Sequence, residues 1–394
     1  MKKIAVIGLY DIKNAGDNLL CDASQYLIKD IRDDVEIVEV DVNPKVKSFS
    51  KKQKFKLAIA LAMQKADPYI FSYKCHNRFR YIYEYFMWWI KIHSNFKNKL
   101  KGVDAIVFAG GGFLKFRTQG LNYYVEMILK IAEKNNIPVM MNGVGIEGYD
   151  ENDIRCQKLK KAINKDVMKV ITTRDDIDIL KNNYITNPNI KISRVGDPAL
   201  WAPECYGMQA KPNKNGVVGI NVIRGKIYES YGNSLTEAGL MNFYRLLLHE
   251  LEDRGIEYKL FSNGMKADQV FGQRLLRSMN RTVKNYLLPV PDDVEDFINT
   301  LQSFQVVFGA RLHACITSYA FDIPIVGLIW NEKLRMFASI IGKKSHFFEE
   351  DEMDVKRIAD AIEECMTDSY DTSIRDELRT LTREHVEYFM GLLK

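Results

Sequence analysis

A chain of 394 residues, 46% hydrophobic and 27% charged, is too long for one ordinary core and has none of the depletion that marks disorder, so a folded protein of two domains is expected. Its formal charge of +5 is small for that length, and no stretch reaches the roughly 18 uncharged apolar residues of a membrane span. Six cysteines without a C-x-x-C pair argue against a disulfide framework or a zinc knuckle and fit a reducing cytoplasm.

The opening MKKIAVIGLYD imitates a signal peptide, but Asp11 ends the apolar run too soon and no small-residue cleavage site follows, so KIAVIGL (3–9) is predicted as a first strand. DNLLCDASQYLIKDI (17–31) reads as a helix with Leu20, Ala23, Leu27 and Ile31 along one side, and VEIVEVD (35–41) as a second strand. The segment from Lys45 to Lys101 carries 14 Lys/Arg against Asp67 and Glu84, so its net charge is +12 and the remainder is near −7. Within it, FRYIYEYFMWWIKIHSNFKNKLK interleaves aromatics with cations. Two readings stay open there: a helix lying on an anionic membrane or facing a lipid-linked or acidic substrate, and a helical insertion with aromatics in the core and solvated lysines. Nucleic acid fits less well, since no recognised motif accompanies the charge.

DAIVFAG (104–110), IPVMMNG (137–143) and MKVITTR (168–174) continue as strands with room for crossover helices between them. DPALWAPECYGMQAKPNKNG then breaks the pattern, placing the boundary between domains 1–205 and 206–394. Strands VVGINVI (217–223), IEYKLFSNG (256–264), QVVFGA and PIVGLIW (324–330) follow, with helices at 236–255, 268–279 and 293–303 and another from Arg311. The expected fold is α/β, with two Rossmann-like parallel-sheet domains facing a cleft lined by the carboxyl ends of both sheets.

Candidate site residues gather at those ends. Asn14, Gly16 and Asp17 lie between first strand and first helix, where backbone N–H groups hold anions; the alternative is a turn with Asp17 as N-cap. Gly110, Gly111 and Gly112 leave the backbone bare after a strand, as if something must come close, and NGVGIEG (142–148) repeats the device. Arg174 and Asp175 suggest a cap with a local salt bridge. Arg224 ends a strand and can present a planar fork to a carboxylate or phosphate, or else a surface ion pair. Arg311 and His313 fall at the start of a helix, beside unpaired N–H groups and the positive end of its dipole. A cation there needs compensation, which a bound anion would give, and the same field favours a neutral His313 able to exchange a proton. Lys333 adds a cation to this rim. Neither a metal site nor a P-loop is indicated.

The ordered set N-A-G-D-N, G-G-G-F-L, G-V-G-I-E, T-R-D-D, G-D-P-A-L, I-R-G and R-L-H-A-C-I followed by D-I-P-I-V-G-L-I-W-N-E-K, from Asn14 to Lys333, resembles the polysaccharide pyruvyl transferases. That resemblance implies a two-domain fold similar to B-type glycosyltransferases and no cofactor. It implies transfer of the enolpyruvyl unit of phosphoenolpyruvate to two hydroxyls of a sugar as a ketal, with release of phosphate, in the cytoplasm or at the inner face of the membrane. The acceptor would be a polysaccharide sugar or its lipid-linked precursor. Arg224, Arg311 and Lys333 would then bind phosphoenolpyruvate, His313 would move a proton, and Asn14, Gly16, Asp17 and Gly110 to Gly112 would face the acceptor. Residues 45–101 match none of the family's motifs, and Trp330 with Asn331 stands where the family more often shows a tyrosine before the lysine. Two alternatives are a nucleotide-sugar glycosyltransferase of the same fold and a non-catalytic protein binding anionic glycan or membrane. The glycosyltransferases often carry two glutamates eight apart in the second domain, and no Glu lies between Phe297 and Asn331.

Overall fold

The computed structural model describes residues 1–10, 14–42, 53–59, 78–117, 120–211, 213–367, 371 and 373–393. Six of the 14 cations of the basic segment (Lys45, Lys47, Lys51, Lys52, Lys65 and Lys74) lie outside them. The chain divides into two compact units: residues 1–11, 24–196 and 381–394, and residues 12–23 with 197–380. The passage at Gly196 precedes the boundary expected at 205, because Asp197 to Cys205 fold as two short helical turns belonging to the second unit. The first half of helix Ala15–Ile31 also belongs to the second unit, and the last part of helix Ser373–Gly391 to the first.

The first unit holds a six-stranded sheet in the order β2-β1-β3-β4-β5-β6. Its strands are β1 (Lys2–Gly8), β2 (Val35–Asp41), β3 (Ala105–Ala109), β4 (Val139–Val144), β5 (Met168–Thr173) and β6 (Lys191–Arg194). All pairings are parallel, with Lys2 opposite Val35 and Ile4 opposite Ala105. Burial on both faces explains the unbroken apolar run of β3 and those of residues 4–8 in β1 and 139–141 in β4.

The second unit holds β7 (Val217–Asn221), β8 (Glu257–Phe261), β9 (Val306–Gly309), β10 (Ile325–Leu328) and β11 (Phe347–Phe348), again all parallel, in the order β11-β10-β9-β7-β8. Helix Glu237–Asp253 covers this sheet. Thr236 Oγ1 caps it by accepting the Gly239 N–H at 3.1 Å, and Leu240, Phe243, Tyr244, Leu247, Leu248 and Leu251 form its buried stripe. Burial of such side chains is worth about 1.5–3 kcal/mol each.

Both sheets reverse their winding at one place, between β1 and β3 in the first and between β7 and β9 in the second. Open α/β sheets bind ligands outside the carboxyl ends of the strands that flank such a reversal. Residues after β7 and β9 are Arg224, Arg311 and His313.

Candidate functional site

Sheet geometry positions Arg311. The chain leaves β9 at Gly309, and Arg311 takes the N-cap position of helix Leu312–Ala320 with extended backbone, its carbonyl accepting from Ala314 and Cys315. The compensation expected from a bound anion comes instead from the protein. Asp268, fully buried in the first turn of helix Lys266–Ser278, receives Arg311 Nε on Oδ2 at 2.9 Å and Nη2 on Oδ1 at 2.7 Å. A carboxylate is favoured there because the helix start carries partial positive charge. The parallel two-bond fork fixes the guanidinium plane. Arg311 Nη1 makes no hydrogen bond among the described residues, and the Trp330 ring centre lies 5.9 Å from the guanidinium carbon.

Asp268 Oδ1 also accepts the backbone N–H of Arg224 at 2.8 Å. One carboxylate therefore holds the fork of Arg311 and the main chain of Arg224 together. The Arg224 side chain is exposed and has no hydrogen bond or ion pair among the described residues. Its exposed side chain leaves a main chain held on the same carboxylate that orients Arg311, at the reversal point of the sheet.

His313 sits two residues into the same helix, with 11% of its side chain exposed. Its imidazole lies on Gly16: a Cβ built there would stand 2.2 Å from Nδ1 and 2.4 Å from the His313 Cβ. Gly16 is thus glycine because the ring occupies the space a side chain needs. On the other side, Nε2 is 4.0 Å from Oδ2 of Asp197, whose Oδ1 accepts the Ala199 N–H at 2.8 Å. The helix carrying Gly16 starts at Ala15, and Asn14, not Asp17, takes the capping position: its Oδ1 accepts the Gly16 N–H at 3.3 Å and its Nδ2 donates to Asp17 at 2.7 Å. The neighbouring Cys315 is buried, which pushes its thiol far above the ordinary range and removes it as a nucleophile.

A Gly16→Ala variant should force the imidazole, and with it the start of helix Leu312–Ala320, to move, because the new Cβ would meet even the His313 Cβ at 2.4 Å, and should lower the thermal midpoint. Thermal unfolding of the variant beside the parent checks this.

Other sequence candidates are placed differently. The space over Gly110 is filled by the Phe113 ring, that over Gly111 by the guanidinium of Arg174, and that over Gly112 by Leu121, so the close approach inferred from three glycines is made by the protein's own side chains. Gly145 packs against the Gly111 carbonyl, and Asp175 Oδ2 accepts the Ile146 N–H at 2.8 Å. Lys333 is half-buried in the first turn of helix Glu332–Ile340, after β10. The two residues that depart from the family pattern have structural work: Trp330 Nε1 donates to the Ala310 carbonyl at 2.6 Å, and Asn331 caps that helix through the Leu334 N–H at 3.1 Å. Asp268 and Asp197 were missed as site residues by sequence reasoning. Asp197 stood in the quoted G-D-P-A-L motif, whereas nothing around Asp268 distinguishes it from an ordinary first-turn acid.

Comparison with known proteins gives a family and a fold. The model of the family "Polysaccharide pyruvyl transferase" matches residues 14–332. No curated protein sequence matches the chain. Among solved structures, UDP-GlcNAc 2-epimerase from Neisseria meningitidis bound to UDP-GlcNAc superposes with a TM-score of 0.58 at 11% identity, covering 99% of this chain and 100% of its own. The MnaA–UDP complex of S. aureus gives 0.54 at 12% identity, covering 100% and 98%. UDP-GlcNAc 2-epimerase from Methanocaldococcus jannaschii gives 0.52 at 11% identity, covering 97% and 99%. At these identities the likeness is one of fold: α/β with two parallel sheets, of the glycosyltransferase-B type.

Proposed function

Because the chain belongs to the polysaccharide pyruvyl transferase family, we propose that it transfers the pyruvyl group of phosphoenolpyruvate to two hydroxyls of a sugar, forming a ketal and releasing phosphate. The observation that carries this reading is that Asp268 orients the fork of Arg311 and ties the main chain of Arg224, whose side chain is exposed, to the same carboxylate, with His313 two residues after Arg311 in a seat left by Gly16. Phosphoenolpyruvate brings one carboxylate and one phosphate, and planar forks match both.

The chemistry has three demands. The methylene carbon must gain a proton so that the central carbon becomes electrophilic. A sugar hydroxyl must lose its proton as its oxygen bonds to that carbon. The carbon–oxygen bond to phosphate must then break as the second hydroxyl closes the ketal, its proton leaving with the phosphate. His313 is assigned to one of the proton transfers, and Arg224 and Arg311 to holding the anion and to stabilising charge as phosphate departs. Lys333 is a further candidate for the phosphate.

Incubation with phosphoenolpyruvate and a panel of sugar acceptors, with phosphate release as readout, tests the proposal. Arg224→Ala should raise the KM for phosphoenolpyruvate by about ten- to a hundredfold, the 1.5–3 kcal/mol of a charge-assisted contact, with the thermal midpoint unchanged because the side chain supports no other residue. A runner-up is a nucleotide-sugar glycosyltransferase, since proteins of similar fold are seen with UDP or UDP-GlcNAc. UDP release from UDP-sugars in the same panel, without phosphate from phosphoenolpyruvate, would favour it.

A further inference from the structure

Helix Arg78–Lys99, in the crossover between β2 and β3, carries two apolar stripes. One runs through Tyr81, Tyr85, Trp88, Ile92 and Phe96 at helical spacing and packs on helix Leu121–Lys134. Tyr81 donates to Glu126, the Trp88 and Tyr124 ring centres are 5.2 Å apart at 86°, and Lys130 Nζ stands 4.3 Å over Tyr85. This stripe has its partner. The other runs through Phe79, Ile82, Phe86 and Trp89, a quarter turn away, and Phe79, Ile82 and Phe86 are 67%, 57% and 38% exposed. Phe86 and Trp89 stack in parallel, their ring centres 6.2 Å apart.

Residues 53–59 extend the same face. Gln53 Nε2 donates to the Ile90 carbonyl at 2.8 Å and Lys56 Nζ lies 4.7 Å over the Trp89 ring, which brings Phe55, 68% exposed, and Ile59, 46% exposed, to this side of the unit. These 29 residues hold five of the eleven exposed large hydrophobics among the described residues. They also carry seven cations (Lys54, Lys56, Arg78, Arg80, Lys91, Lys97 and Lys99) against one acid, Glu84, which is engaged by Arg80 at 2.8 Å. Scattered exposed apolar residues need no explanation; an aromatic stripe on a segment where cations outnumber acids seven to one does.

We propose that this face docks the protein on an anionic phospholipid surface. The charge complementarity selects the occupant. Aromatic and aliphatic side chains enter the boundary between headgroups and acyl chains, while lysines remain at headgroup level, each raising affinity for an acidic leaflet about fivefold. None of the helices among the described residues is long and apolar enough to cross a membrane, so the contact is peripheral. Trp88 of the same helix reaches the loop leaving the carboxyl end of β3, since a Cβ at Gly120 would stand 3.3 Å from its Nε1.

Sedimentation of the full chain with phosphatidylcholine vesicles, with and without phosphatidylglycerol, tests the inference. The parent should pellet only with the acidic vesicles, and less as salt rises. Phe79→Ser, Ile82→Ser and Phe86→Ser together should weaken binding at least tenfold with circular dichroism and thermal midpoint unchanged. Lys54→Glu with Lys97→Glu should do the same through charge alone. A parent that stays in the supernatant with both vesicle types overturns the proposal, as does a triple variant that pellets like the parent. So does light scattering that shows a parent dimer, made monomeric by the triple variant, with no vesicle binding, because a second copy would then cover the stripe.

Discussion

His313→Ala should lower kcat for phosphate release by about 10²–10⁴-fold, the range supplied by a positioned general acid or base, and leave the KM for phosphoenolpyruvate within a few-fold. The split matters because the ring also has structural neighbours. It rests on Gly16, and its Nε2 faces the buried Asp197 carboxylate at 4.0 Å. Were the ring only a spacer between these elements, its removal would lower the unfolding midpoint and spare the rate of the surviving folded fraction. A proton-transfer role predicts the reverse: a midpoint close to the parent's and a rate loss that saturating phosphoenolpyruvate does not repair. Asp197→Asn should reproduce part of the loss, since Asp197 is fixed by the Ala199 N–H and can hold the imidazole in one orientation. Equal turnover by the His313 variant and the parent across pH would remove the residue from the mechanism.

What the sequence made legible follows from local physics. Apolar runs such as Val35–Asp41 and the stripe of helix Glu237–Asp253 show because a buried strand and an amphipathic helix leave their period in adjacent residues. Strand ends were read a residue or two long, as at 3–9 against Lys2–Gly8 and 217–223 against Val217–Asn221, since apolar residues continue into the buried turns beyond the last ladder bond. The strand Lys191–Arg194 and the two-residue strand Phe347–Phe348 were not found, the one because at the sheet edge it has a single apolar residue between its charged ends, the other because two residues carry no period. Arg224, Arg311 and His313 were visible because a cation where a strand ends or a helix starts contradicts local preference. Asp268 was not, because a carboxylate in a first turn satisfies that preference while its partner stands 43 residues away. Glycines mislead in the same way: the sequence shows that something fills the space over Gly111 or Gly16, but only the fold shows that it is Arg174 or His313.

The second large effect is expected at Asp268, which is assigned no contact with substrate. Asp268→Asn preserves shape and removes the charge that orients the Arg311 fork and receives the Arg224 N–H. Two consequences oppose each other. Losing a buried anion near the proposed phosphoenolpyruvate site raises the local positive potential, worth on the order of 2–3 kcal/mol in favour of binding at a separation of about 6 Å and an effective dielectric near 20. Against this, Arg311 loses two charge-assisted bonds at 2.9 and 2.7 Å, and the loop at Arg224 loses the acceptor of its N–H. Breaking one side of a buried pair costs about 3–5 kcal/mol in stability, and a fork freed to move by an ångström forfeits about 10²-fold in rate through lost orientation. Geometry should outweigh potential here, because Asp268 is fully buried and the freed guanidinium has water within reach to turn towards. We therefore expect kcat/KM for phosphoenolpyruvate to fall about 10²-fold, mainly through KM, together with a lower urea midpoint. If instead KM drops while stability falls, Asp268 is damping the charge of the site and not orienting it, and the assignment of Arg311 as a prearranged fork fails.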